Sequence, residues 1–213
     1  VITDDGDSSL LSWTVVGSSS VSEGGTANYT VAYTGATLAP GQTMTIAVAS
    51  SGGFSGTLDD AQSNVDYTSL TTTLTFTGGG PNSQTVAVST INDTIVEGSE
   101  DYTVTIANQT AGTVTTSQAN TVILDDGDSS LLSWTIVGSS TVTEGNAATY
   151  TVSYTGATLA PGQVMTIAVA TNGGFSGTLD DAQSNVDYTS LTTTLTFTGG
   201  GPNSQTVAVS TIN

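Results

Sequence analysis

The sequence predicts an all-β chain of tandem immunoglobulin-like Greek-key β-sandwich modules, and three observations carry that reading. Apolar and β-branched residues alternate with Thr, Ser and Ala at period two, and no stripe of helical spacing competes with them. Glycine- and proline-bearing punctuation separates the runs. The chain also repeats itself: Asp4-Asp5-Gly6-Asp7-Ser8-Ser9-Leu10-Leu11-Ser12-Trp13 returns as Asp125 to Trp134, an offset of 121 residues. Such a period is too long for one solenoid turn and suits a bead-like domain.

Taken in order, Trp13-Thr14-Val15-Val16 opens the module as a short strand. Tyr29-Thr30-Val31-Ala32-Tyr33 and Met44-Thr45-Ile46-Ala47-Val48 follow. Leu74-Thr75-Phe76, Val86-Ala87-Val88 and Tyr102-Thr103-Val104-Thr105-Ile106 come next, and Thr121-Val122-Ile123-Leu124 closes the module. Each puts its larger apolar residues on one face, as a half-buried antiparallel strand does. Turns are expected at Glu23-Gly24-Gly25, Ala39-Pro40-Gly41, Gly52-Gly53 and Gly78-Gly79-Gly80-Pro81-Asn82. Seven or eight strands in about 120 residues are the mark of a Greek-key sandwich. Trp13 and Trp134 alternate with polar neighbours and read as core.

The repeat sets the domain boundaries. Residues 1–7 read as the tail of a preceding repeat, 8–128 as a complete module, and 129–213 as a second module lacking the last strands. Residues 1–92 differ from 122–213 at 11 positions, and residues 52–92 return unchanged as 173–213. Near-identity of this degree suits a spacer, which needs length rather than a separate site in each module.

Composition removes whole classes of function. The 213 residues include 18 acids but no Lys, Arg, His or Cys, giving a net charge of −18. Without His or Cys there is no Ser-His-Asp or Cys-His nucleophile and no soft-metal site. Without Lys or Arg there is no Schiff base, phosphate clamp or nucleic-acid surface. Disulfides and lysine isopeptide staples are excluded as well. A glycosidase-like carboxylate pair is the one enzymatic option left, and the chain reads as non-enzymatic. No apolar run of about 20 residues is present, so no membrane-inserting helix is expected.

The acids avoid the strands and gather in loops. Glu23 follows the first strands, Asp66 opens Asp66-Tyr67-Thr68, and Asp93, Glu97 and Glu100 share one connection. Asp125, Asp126 and Asp128 end the module. Alternate strand junctions of a sandwich lie at the same end, so these four loops could converge at one pole. Two carboxylates about 4 Å apart repel by roughly 4 kcal/mol at an effective dielectric near 20. With no cationic side chain to relieve this, the acids either stay solvated as a rim or gather an outside cation. Hard oxygen ligands favour calcium. Asp59-Asp60, repeated as Asp180-Asp181, reads as a solvated turn.

Several of these motifs together resemble the Calx-beta domain family. They are Ser22-Glu23-Gly24, Asp66-Tyr67, Ile91-Asn92-Asp93-Thr94-Ile95-Val96-Glu97-Gly98-Ser99-Glu100 and Val122-Ile123-Leu124-Asp125-Asp126-Gly127-Asp128. The resemblance covers nearly the whole module and implies an immunoglobulin-like sandwich. It also implies calcium ligands at Glu23, Asp66, Asp93, Glu97, Glu100, Asp125 and Asp126. Asp128 extends the terminal run, and the same logic gives Glu144 and Asp187 to the second module. Asp4, Asp5 and Asp7 would serve a site whose other ligands precede this chain. Two departures stand out: Asn92 occupies a position where calcium-binding members often carry Asp, and Gly127 interrupts the terminal acids. Arrays of such domains occur in large bacterial surface adhesins. The implied role is therefore an extracellular, cell-surface structural extender stiffened by calcium, whose partners are neighbouring repeats and further copies of itself in a fibre. The alternatives are a filament subunit polymerised by strand exchange and a ligand- or glycan-binding module.

Overall fold

The computed structural model describes residues 7–56, 58–173 and 181–213. It contains two compact units. The first runs up to Asp93 and resumes over Gly98–Asp126; the second comprises Thr94–Glu97 and Gly127–Asn213.

In chain order the first unit holds β1 (Ser12–Gly17), β2 (Ser20–Ser22), β3 (Thr26–Thr34), β4 (Thr43–Gly52), β5 (Asp59–Asp60), β6 (Thr71–Thr77) and β7 (Ser83–Ser89). The next strand, β8 (Ile95–Val96), belongs to the second unit. The first then ends with β9 (Glu100–Ala107), β10 (Thr113–Thr116) and β11 (Gln118–Leu124). One sheet has the order β10-β1-β3-β7; the other runs β2-β11-β9-β4-β6, with β5 added against β9. The chain passes between sheets at β3–β4, β6–β7 and β7–β9 and again around β2 and β10, a Greek-key sandwich as the alternation predicts.

The inward residues close one core. Trp13, Val15, Tyr29, Val31, Tyr33 and Val88 from one sheet meet Met44, Ile46, Val48, Phe76, Val104, Ile106 and Ile123 from the other. Strand β3 shows why the sequence specifies its register: Tyr29, Val31 and Tyr33 are buried while Thr30 and Thr34 face solvent. A one-residue slip would exchange the faces. Trp13 is fully buried, and its indole N–H donates to the Ala111 carbonyl at 2.7 Å.

Two features depart from the sequence expectation. First, the outer strands pair in parallel, β1 with β10, β2 with β11 and β5 with β9, where antiparallel partners are expected. For β1 with β10 and β2 with β11 the cause is a change of sheet at both chain ends of the unit: β1 leads into β2, and β10 into β11, each pair crossing from one sheet to the other. Secondly, Asp59-Asp60 is a short strand rather than a turn.

The second unit repeats the frame over β12 (Ser133–Gly138), β13 (Ala147–Thr155), β14 (Thr158–Leu159), β15 (Val164–Ala170), β16 (Thr192–Thr198) and β17 (Ser204–Ser210). Its sheets are β12-β13-β17, β15-β16 and a parallel pair of β14 with β8. Tyr154, Leu159 and Phe197 anchor its core, with Trp134 and Val96 packed against it. The 121-residue counterparts of β9 to β11 fall beyond residue 213. Val15 is 1% exposed in the first unit, and its counterpart Ile136 is 57% exposed in the second.

Candidate metal centre

Glu23 sits at the turn between β2 and β3, and three contacts fix that turn. The Glu23 N–H donates to the Leu124 carbonyl at 3.1 Å, tying it to the end of β11. Thr90 donates its hydroxyl to the Ser22 carbonyl at 2.8 Å and accepts the Gly25 N–H at 2.9 Å. Gly24 adopts φ +66, a left-handed conformation, and a Cβ there would stand 3.1 Å from the Asn92 Cβ. The chain then continues from Thr90 through Ile91, whose N–H donates to the Asp66 carbonyl at 2.8 Å, into Asn92 and Asp93.

This framework gathers acids in the first unit. Glu23, Asp125 and Asp126 offer carboxylate oxygens within 4.8 Å of one another, and Glu23 and Asp93 do so as well. Asp66 and Glu100 form another pair within the same limit, both buried. Glu97 and Asp128 belong to the second unit. Glu97 follows β8, and Asp128 is buried at the start of a 3-10 turn, Asp128–Leu131, with Gly127 at φ +98 before it.

The donor set suits a hard divalent cation. Calcium holds oxygens at about 2.3–2.6 Å, so two ligands of one ion lie no more than about 5 Å apart. The Glu23–Asp125–Asp126 spacing meets that condition. Asn92 enters as a donor: its side-chain amide bonds the Asp126 Oδ2. An aspartate there would add a fourth negative charge; the amide instead satisfies one oxygen of Asp126.

Asp66 and Asp187 have a role of their own. Each carboxylate accepts a backbone N–H four residues back: Gln62 for Asp66, and Gln183 for Asp187 at 2.7 Å. Each turn also carries an asparagine in the left-handed region, Asn64 and Asn185, whose side chain accepts the N–H of Ser69 or Ser190. These carboxylates therefore close a turn in both units.

The second unit keeps the Glu23-type turn, with Glu144 in the place of Glu23. Thr211 holds the Thr143 and Asn146 carbonyls as Thr90 holds Ser22 and Gly25. Glu144 is exposed there, and among the described residues it joins no group of three acids. Counterparts of Asp125 and Asp126 fall beyond residue 213. Asp4, Asp5 and Asp180 lie outside the described residues.

Sequence reasoning left Asp101 without a role. It is fully buried, its carboxylate accepting the N–H groups of Phe54 at 2.8 Å and Ser55 at 3.2 Å. Its backbone carbonyl accepts those of Gly53 and Ala61. The signal was the Gly52-Gly53-Phe54-Ser55 loop, whose donors need an acceptor once the loop folds over β9.

A model of the Calx-beta domain matches residues 20–127 and 170–213, more than half of the chain. The chain belongs to the Calx-beta domain family. The match spans Glu23, Asp66, Asp93, Glu97, Glu100, Asp125 and Asp126, and its second stretch takes in Asp187. Among solved structures, this Calx-beta chain is similar to CBD12 from CALX1.2, with 18% identity and a TM-score of 0.47 over 94% of this chain and 76% of that one. It is also similar to the calcium binding domain CBD12 of CALX1.1, at 18% identity and a TM-score of 0.45 over 93% and 75% of the two chains. The apo form of the Calx CBD1 domain matches at 17% identity and a TM-score of 0.42, over 53% and 98%. No curated protein matches.

Proposed function

We propose that this chain is a run of structural extender repeats from a large extracellular surface protein, an adhesin, fibre or filament, and that calcium stiffens its modules. The gathering of Glu23, Asp125 and Asp126 within 4.8 Å in a chain without a single cationic side chain carries the reading. Asp93 stands beside Glu23 as a further ligand. A bound calcium would supply the missing positive charge and tie the Glu23 turn to the last strand of the module. Sequence near-identity between repeats supports a spacer, and the absence of His, Cys, Lys and Arg supports a non-catalytic one.

Thermal unfolding in calcium and in chelator tests the metal. An ion at 100 times its dissociation constant stabilises the folded state by about 2.7 kcal/mol, which raises the midpoint of a small domain by roughly 10 °C or more. The expected result is such a rise with calcium, not matched by sodium at equal ionic strength, and largely lost in Glu23→Gln. Equal midpoints in calcium and chelator would leave the acids as a solvated rim. The spacer role is tested separately by force spectroscopy on longer arrays, where modules must unfold one by one in near-equal contour steps.

A further inference from the structure

The same six residues, Gly-Ala-Thr-Leu-Ala-Pro, occur at 35–40 in the first unit and 156–161 in the second. In the second unit their centre is strand β14, paired in parallel with β8: Thr158 faces Ile95 and Leu159 faces Val96. Thr158 donates its N–H to the Thr94 carbonyl at 3.1 Å, and Ala160 donates to the Val96 carbonyl at 3.0 Å. Ala157 and Leu159 are buried, and Val96 packs into the same core.

Among the described residues, the hexapeptide of the first unit has no such occupant. Thr37 and Leu38 form no strand, Ala36 and Leu38 are only half-buried, and among the described residues the Thr37 and Ala39 N–H groups find no backbone acceptor. The surrounding frame is nevertheless the same. Gln42 donates to the Ala39 carbonyl and Gly78 to that of Gln42, as Gln163 and Gly199 do in the second unit. The Asn82 amide holds the Tyr33 carbonyl at 3.2 Å, and Asn203 holds that of Tyr154 at 3.3 Å. Gly35 and Gly156 take φ +99 and +103. The edge is thus built alike in both units, and only the added strand distinguishes them.

We propose that residues 35–40 are a docking edge for the Thr94–Glu97 segment of another copy of this repeat, which adds to it as a parallel strand in the register that β8 takes on β14. The occupant follows from the second unit, where this segment sits on the identical sequence. Two backbone donors and one half-buried leucine await it, and it supplies two carbonyls and Val96. Strand addition of this kind takes its affinity from main-chain hydrogen bonds and its specificity from alternate side chains. Free in solution the contact is weak; within an array, tethering raises its effective concentration. The edge would then be completed by a strand from outside its own sandwich, a contact that needs no metal.

Disulfide capture on the full chain tests this, because the sequence contains no cysteine. Thr37→Cys and Thr158→Cys place a thiol at equivalent, exposed positions, and the reagent is a peptide of residues 92–99 carrying Ile95→Cys as a mixed disulfide with a small aromatic thiol, which leaves as the new disulfide forms. The expected result is coupling to Thr37→Cys about tenfold faster than to Thr158→Cys, whose edge is already taken, because docking raises the local thiol concentration. Thr37→Cys should also prefer that peptide to one carrying Glu97→Cys, which the register places two residue pairs away. Equal rates at the two positions, or no register preference, would overturn the proposal. A second readout uses the unaltered chain. At about 1–5 mM unmodified peptide, the range suited to so small a contact, the Thr37 and Ala39 amide resonances should shift saturably. A Val96→Asp peptide should leave them still. Silence of both amides with the unmodified peptide would equally refute the docking edge.

Discussion

Thr121 shows what single residues do in this fold. Its side chain is fully buried on β11, and its hydroxyl donates at 2.6 Å to the carbonyl of Ser18, where the chain changes sheets between β1 and β2. The Tyr29 hydroxyl lies 2.5 Å from it and 2.8 Å from the Tyr102 hydroxyl, so three hydroxyls and one carbonyl form a connected polar chain inside the sandwich. Thr121→Val keeps the shape and removes the link. It strands a buried carbonyl and leaves the tyrosine hydroxyls with one partner fewer, a loss of about 1–3 kcal/mol. Denaturant titration should show a lower midpoint at unchanged slope; a change within error would mean that water replaces the hydroxyl. Period-two alternation reveals that Thr121 lies in a strand, but not that it points inward. Thr is spread over nearly every solvent face of the chain, so composition does not separate the inward Thr121 from its outward neighbours. Asp101 escaped notice for a related reason: acids in this sequence read as surface or metal ligands, and its partners are backbone N–H groups, which leave no pattern in a sequence.

At the scale of strands, the two units are a natural comparison of one sequence in two surroundings. Gly17 ends β1 opposite Tyr29, and Gly138 ends β12 opposite Tyr150; a Cβ on either glycine would run into the facing ring. In the first unit the ring cannot yield, because Tyr29 is fully buried and its hydroxyl is bonded to Tyr102 and Thr121. Tyr150 is only half-buried and has more room to turn aside. Gly17→Ala should therefore cost about 1–3 kcal/mol, the usual range for overpacking, and Gly138→Ala clearly less. Measuring both variants by chemical denaturation decides it, and equal losses would mean that the ring moves aside in either setting. The strands themselves were legible because β-branched and aromatic residues alternate so regularly. What stayed hidden was pairing. Strand β10 is Thr113-Val114-Thr115-Thr116, with one sizeable apolar residue, and its parallel contact with β1 arises from the sheet switch rather than from its own pattern. The candidate site divides in the same way. The turn at Glu23 and the terminal acids could be read from spacing, whereas the closing of Asp66 and Asp187 onto their own turns could not.

For the whole molecule, the decisive fact is a charge of −18 with nothing to oppose it. Screening by salt should stabilise the fold modestly and without ion specificity, since the Debye length falls to about 8 Å at physiological ionic strength. Above the carboxylate range no side chain titrates until tyrosine, because the sequence has no His, Cys or Lys. Burial pushes the hydroxyls of Tyr29, Tyr67 and Tyr102 above their ordinary value of 10.0. For Tyr102, the neighbouring Tyr29 adds to that effect. The sign follows from proton binding. Between pH 7 and 9 both folded and unfolded chains keep these protons, so stability is independent of pH. Above pH 10 the unfolded chain releases them first and the folded chain does not, so stability falls as pH climbs towards the raised folded values. The slope approaches about 1.4 kcal/mol per pH unit for each tyrosine that stays protonated only in the fold. Urea midpoints taken at constant ionic strength should be level from pH 7 to 9 and drop steeply between 10 and 11. A steady decline already under way at pH 8 would contradict this account. Replacing Tyr102 by Phe removes one of these protons, so the alkaline limb should become shallower even where the variant is less stable at neutral pH.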